Sequence, residues 1–216
     1  MRATDNLNTT DAATAHTYAT LQEAFDYFNR ELFGGELPDC LITLNTVSKK
    51  ARGFYYPRKF AERNGNGGHV DEVALNPETF KGRSDEDIVS TLVHEMAHLW
   101  QEHNGKPSRN RYHNREWADK MEELGLVPST TGAPGGKRTG QRVSHYVDPE
   151  GAFAKLYRDY FADRVLLRYD GQRESAGSTA KNRKVKYQCL VCEAAAWGKP
   201  NLSLVCGDCE EVMTAA

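Results

Sequence analysis

The chain has no apolar stretch approaching the eighteen or so residues that would span a bilayer, so no membrane partner is expected. Its first twenty residues are rich in Thr, Ala, Asp and Asn and hold no apolar core, so they do not read as a secretory signal. A strong charge is missing too. The formal net charge is −2, which alone predicts no polyanionic partner. No internal repeat is present. Cysteine is scarce, five in 216 residues, and four of the five form two C-x-x-C pairs near the C-terminus. Without a secretory signal that pattern reads as metal binding, not as a disulfide framework. Cys40 follows Pro38-Asp39 at the start of an apolar run and reads as a buried thiol. These absences leave a soluble, cytoplasmic protein with one good-sized domain, or a domain plus a small appendage.

The charge is unevenly placed. Residues 1–100 hold 10 Lys/Arg against 15 Asp/Glu, whereas residues 151–186 hold nine basic against four acidic. An acidic front and a basic back suggest a partner-facing side, with a solvated linker as the plainer reading.

Apolar spacing predicts a first helix from about 17 to 33, stopped by Gly34-Gly35, with residues 1–16 as a tail. Strands are expected at 40–47, 52–56 and 70–75, with the Asn/Gly-rich 63–68 run as a turn. Ser84 with Asp87 resembles a capping box, and Asp85, Glu86 and Asp87 suit a helix N-terminus. That helix runs to about 104, ended by Gly105 and Pro107. Another is expected at 113–124, then a Gly/Pro/Thr-rich loop over 125–150, and a helix over 151–168 passing into a strand at 164–169.

Inside the capped helix lies His94-Glu95-Met96-Ala97-His98. Histidines four apart lie about 40° apart around a helix, so both imidazoles leave one face and can grip one Zn²⁺. Glu95 stands on the same side, where it can take a proton from water. The apolar neighbours Leu92, Val93, Ala97 and Leu99 argue against an ordinary solvated face. A catalytic zinc needs a third protein ligand. His69, His103, His113, His145 and several carboxylates are on offer. His103 is about 140° around the helix from His98 and points away. The longer metzincin motif fails, because Gln101 and Asn104 replace its Gly and His. A carboxylate ligand would fall to Glu116, Glu122 or Glu123. His113, at the start of the next helix, is the best candidate, since a loop of about ten residues and a return helix would bring it back. His69 and His145 read as ordinary polar residues. Tyr146 and Arg142 are candidates for stabilising an oxyanion.

Leu32-Phe33-Gly34-Gly35-Glu36-Leu37-Pro38, Leu75-Asn76-Pro77, the H-E-x-x-H and His113-Asn114-Arg115-Glu116-Trp117, in that order, resemble the SprT-like metallopeptidases. That family includes the Spartan proteases, which degrade DNA–protein crosslinks. The resemblance covers roughly residues 18–165, and a C-terminal zinc ribbon extends it. It implies His94, His98 and His113 as ligands and Glu95 as catalytic base. It also implies a protein substrate. Spartan's DNA-binding elements outside this core do not map onto positions here, so DNA-dependent activity is not carried over. DNA as a partner, with nucleoid association, is expected only through the basic segment of residues 155–186.

Cys189-x-x-Cys192 and Cys206-x-x-Cys209, 13 residues apart, suit tetrahedral Zn²⁺, because each pair closes a turn that aims two thiolates at one point. The few apolar residues between them need the metal's help to fold. The expected architecture is therefore α+β: a zincin-like metallopeptidase core over residues 17–170, a basic linker over 171–184 and a zinc ribbon over 185–216. One zinc is catalytic and one structural. Basic residues 155–186, ending in Lys181-Asn182-Arg183-Lys184-Val185-Lys186 with Tyr187 beside them, are the segment that would meet DNA, with a soluble tether as the plainer reading. The expected reaction is peptide hydrolysis. The competing class is a DNA- or protein-binding adaptor with a zinc-stabilised core and little turnover, and a hydrolase of non-peptide amides is a third.

Overall fold

The computed structural model describes residues 12–46, 51–63, 65, 67–162, 164, 166–172 and 184–215. The chain divides into two compact units, Met1–Gln172 and Arg173–Ala216.

The first unit is mixed α/β. Helix α1 (Ala13–Phe33) buries Leu21, Ala24, Phe25 and Phe28 along one face and ends at Gly34, whose φ of 64° a side chain would resist. Its apolar face begins near residue 17, yet the helix starts at Ala13, inside the stretch read as tail. Ala and Thr extend it by another turn that is mostly solvent-exposed. Strands β1 (Cys40–Leu44), β2 (Gly53–Ala61) and β3 (His69–Leu75) form a sheet of order β1-β3-β2, parallel between β1 and β3 and antiparallel between β2 and β3. β2 is an edge strand, and its register shifts between Tyr56 and Phe60. The extra length is taken up around Arg58 (φ 50°), whose N–H donates to the buried Asp71 carboxylate at 2.6 Å.

Helix α2 (Asp85–Asn104) starts at Ser84, whose Oγ accepts the Asp87 N–H at 3.1 Å. Twelve of its twenty residues are buried, so it runs through the core and not over it. Helix α3 (Arg115–Glu123) is capped by Asn114, which accepts the Trp117 N–H at 3.0 Å. The core gathers Phe28, Val73, Leu75, Phe80, Leu92, Met96, Leu99, Trp117, Met121 and Phe153, all essentially inaccessible. Removing any one large side chain there would cost about 3–5 kcal/mol.

Two expectations are corrected. The 125–150 segment is not all loop: β4 (Leu126–Ser129) pairs antiparallel with β5 (Ser144–Val147), because Leu126, Pro128 and Ser129 are buried while the glycines lie between the strands. After α4 (Ala152–Phe161), the described residues of 164–169 form no strand. Leu166 is buried there and its N–H donates to Asp85 Oδ2 at 2.9 Å, so the segment docks on the start of α2 instead of joining a sheet.

The second unit is a small sheet of order β7-β6-β8, from β6 (Val185–Gln188), β7 (Ala195–Gly198) and β8 (Thr214–Ala215). Among the described residues its buried core is Tyr187, Cys189, Cys206 and Met213, with Val185, Ala196, Leu204 and Cys209 packed against it. No helix among the described residues is long and apolar enough to cross a membrane.

Candidate metal centre and cleft

Burial of α2 carries His94 and Glu95 inward, with His98 one turn on; His94 and Glu95 are 8% and 5% exposed. The chain then returns. Gln101 Nε2 donates to Asn114 Oδ1 at 2.8 Å and to Glu116 Oε2 at 2.7 Å, and Glu116 Oε2 also accepts the Lys106 N–H. These bonds staple the 105–114 loop to the end of α2 and bring His113 back over it. One ring nitrogen from each of His94, His98 and His113 lies within 4.8 Å of the others.

Each imidazole is oriented differently. His113 Nδ1 bonds the Gly140 carbonyl at 3.1 Å, in a bridge where the two backbones also exchange hydrogen bonds. A carbonyl can only accept, so Nδ1 carries the proton and Nε2 the lone pair. His98 stacks on Trp117, ring centres 5.0 Å apart and planes at 16°. Trp117 also meets the edges of His94 and His113 at 4.9 and 4.4 Å, forming a floor under all three rings. His94 Nδ1 lies 3.0 Å from His145 Nδ1.

Burial, reinforced by the neighbouring imidazoles, holds the His94 ring neutral well below the usual histidine range. Burial lowers His98 to about 3, and lowers His113 against the opposing pull of the Gly140 bond. Three converging, neutral imidazoles are the donor set a zinc ion takes, and no proton need leave before it binds. Burial pushes the Glu95 carboxyl up to about 8, while Arg111 pulls it down. Gly53 explains how Glu95 sits so deep. A Cβ there would meet Glu95 Oε1 at 2.8 Å and the Ala74 carbonyl at 2.9 Å, so only glycine lets the carboxylate rest against β2.

The site opens into a cleft of about 1270 Å³. One wall is the start of β2, including Phe54, Tyr55 and Tyr56, and another is the 108–113 loop. Asn110 and Arg111 in that loop hold φ of 57° and 56°, and Arg111 lies 3.8 Å over the Tyr56 ring. Arg142 lines the cleft, whereas Tyr146 is not among its lining residues.

Of the other histidines, His69 is an exposed strand-end residue bonded to the Gly67 carbonyl, and His103 bonds Asp71 at 2.7 Å. Neither joins the cluster. His145, read as an ordinary polar residue, is instead buried against His94. Neither it nor the roles of Trp117, Gly53 and Gly140 could be found from spacing.

In the second unit, one Sγ from each of Cys189, Cys192, Cys206 and Cys209 lies within 4.8 Å of the others. Both knuckles repeat one turn: Glu193 N–H to Cys189 O and Cys189 N–H to Ala194 O, then Glu210 N–H to Cys206 O and Cys206 N–H to Glu211 O. Backbone N–H groups of Cys192 and Val191 draw the Cys189 thiol down to about 7. Four sulfurs from two such turns fit a structural zinc. Tyr187 does not present a ring for stacking on a base. It is 3% exposed, and its hydroxyl donates to the Lys199 carbonyl and accepts the Leu202 N–H. Lys181 and Arg183 lie outside the described residues.

The SprT-like family model matches residues 21–136. A Salmonella typhimurium protein described as "Uncharacterized protein in mucB 3'region" is 45% identical over 60 residues, 28% of this chain and 78% of its own length.

Proposed function

This chain belongs to the SprT-like family, and from that premise we propose that it is a zinc-dependent metalloendopeptidase acting on DNA-associated proteins. The observation that carries the reading is the convergence of His94, His98 and His113 on a cleft floor beside a buried Glu95. When bound, zinc supplies Lewis acidity and positive charge, which polarise a carbonyl, acidify water and draw a neighbouring carboxyl toward its ionised form. Glu95 takes the proton of the attacking water and hands it to the leaving amine. Arg111, whose charge reaches Glu95, favours the carboxylate that this first step needs.

Substrate binding follows from the sheet. β2 pairs with β3 on one side, and its other edge has no strand neighbour among the described residues. The Gly53–Tyr56 segment lines the cleft, so an extended peptide can add to that edge with its scissile bond near Glu95. Pro57 and the irregularity at Arg58 limit the pairing to a few residues. The cleft sets Arg52, Arg111 and Arg142 against Glu95 and Glu102, a balance that suits a substrate lying beside phosphate. Within the basic 155–186 segment, Arg164 is paired with Glu23 and Arg158 donates to the Pro149 carbonyl.

The test uses zinc-loaded full chain with casein and with a protein crosslinked to a single-stranded oligonucleotide. Wild type is expected to cleave the crosslinked protein. Glu95→Gln should lose about 10²–10⁴-fold in rate with its metal content unchanged. Cleavage of casein alone would retain the peptidase and remove the DNA-associated substrate. Cleavage of neither would leave a zinc-stabilised binding module.

A further inference from the structure

His145 stands 51 residues from His94 in sequence, on the β5 strand that β4 holds in place through the Pro128–His145 pairing. It is 7% exposed, and both its nitrogens are engaged: Nδ1 with His94 Nδ1 at 3.0 Å and Nε2 with Ser90 Oγ at 2.9 Å. Ser90 Oγ in turn lies 2.8 Å from the Asp87 carbonyl.

The direction of every proton in this chain follows from its last member. A carbonyl only accepts, so the Ser90 hydroxyl donates to Asp87 and is left to accept from His145. His145 therefore carries its proton on Nε2 and offers a lone pair at Nδ1. His94 must then donate from Nδ1, which leaves its Nε2 lone pair for the metal. His145 is not a fourth ligand, because neither of its nitrogens has a lone pair to spare.

We infer that His145 is a positioning residue for the metal centre, the neutral acceptor that fixes the tautomer and ring orientation of His94, with Ser90 fixing His145 in the same way. This rests on the reading of His94 as a metal ligand. Ligand histidines usually give their second N–H to a carboxylate, a carbonyl or water. His113 follows that habit with Gly140. At His94 the acceptor is an imidazole, which orients the ring without adding negative charge to the centre.

Three variants of the full chain separate acceptor from volume. In His145→Asn the Oδ1 replaces the lone pair at the Nδ1 position. In His145→Gln the added methylene puts the carbonyl near the Nε2 position, toward Ser90. His145→Phe keeps ring volume alone. Zinc affinity is measured by competition with a chromophoric chelator, Co²⁺ substitution gives the visible spectrum of the His site, and the four-Cys site serves as internal reference. The Phe and Gln variants should lose about 10–100-fold at the His site only, with an altered Co²⁺ spectrum, and Asn should restore affinity. Melting of the metal-free proteins tests for a merely structural role. Lowered melting temperatures with His-site affinity unchanged overturn the inference, as does an Asn variant as weak as Phe. Wild type binding a single ion, at the cysteines, would sink the metal-centre reading and this inference with it. Two ions in wild type and in every variant, at equal affinity, would sink the inference alone.

Discussion

Gly53→Ala is a one-methyl change that the cleft should not tolerate. The new Cβ would lie 2.8 Å from Glu95 Oε1, 2.9 Å from the Ala74 carbonyl and 3.0 Å from Thr91 Cγ2. Each falls about half an ångström short of ordinary contact. The Ala74 oxygen belongs to the backbone of β3 and cannot swing aside. Relief must come from Glu95 moving or β2 lifting. Overpacking of this kind costs about 1–3 kcal/mol, which in a chain of this size lowers the melting temperature by roughly 2–12 °C. The catalytic effect should be larger, because an error of about 1 Å at the base costs about 10²-fold in rate. The assay is kcat/KM for cleavage of the crosslinked protein, with zinc content measured in parallel, in wild type, Gly53→Ala, Glu95→Gln and the double variant. Zinc should stay at the wild-type level, since none of the three clashing groups is an imidazole. In the Glu95→Gln background the glycine substitution should change the residual rate little, because the base it displaces is already gone. Wild-type kcat/KM and melting temperature in Gly53→Ala would refute the argument. A full, independent loss in the double variant would show that β2, not Glu95, is what moves.

Two further outcomes follow from other parts of the molecule. Burial pushes the Asp71 carboxyl up, but bonds from the Arg58 N–H, the Tyr55 hydroxyl and His103 outweigh it and hold the group below its ordinary value. A depressed folded value means stability that is present above the unfolded pKa near about 3.9 and is lost as pH falls through the folded one. Urea unfolding should thus show Asp71→Asn about 2–3 kcal/mol less stable at pH 7, with a smaller gap at pH 3; a gap independent of pH would refute this. Chelation should collapse the amide NMR dispersion of residues 184–215 while the signals of α1 to α4 persist; a ribbon that stays dispersed without metal would be the contrary result.

What the sequence made legible was local. The H-E-x-x-H geometry depends on residues four apart, and the Ser84 cap lies three residues from its acceptor; both read directly from helix periodicity. His113 followed from chain order, and the four cysteines from spacing. The contacts that hold the site are remote. His145 reaches His94 across 51 residues and Ser90 across 55, through a strand hidden in a Gly/Pro/Thr-rich segment that reads as loop. Gly140 meets His113 across 27 residues. Glycine and histidine have no periodicity to betray such roles, and pairing is decided by tertiary packing. Tyr187 misled for a related reason. Beside basic residues it resembles a base-stacking ring, but its ring is packed into the unit's small core and its hydroxyl is held by Lys199 and Leu202, contacts that no local pattern announces.

The two candidate metal sites invert the relation between ion and fold. At the first, α2 is buried by Leu92, Met96 and Leu99 whether or not an ion is present, and the imidazoles are held by Gly140, Trp117 and His145. Burial keeps them neutral, so the fold presents lone pairs in advance, and a bound zinc can keep a position open for chemistry. At the second, two of the four core residues are themselves candidate ligands. Without an ion, Tyr187 and Met213, with Val185, Ala196 and Leu204 packed against them, are too few to offset the entropy of ordering some thirty residues. A metal that must close a fold has no coordination site left for a substrate, whereas one held by an existing fold does. By that argument the histidine cluster is the one suited to hydrolysis, and the cysteine cluster to holding its own small unit together.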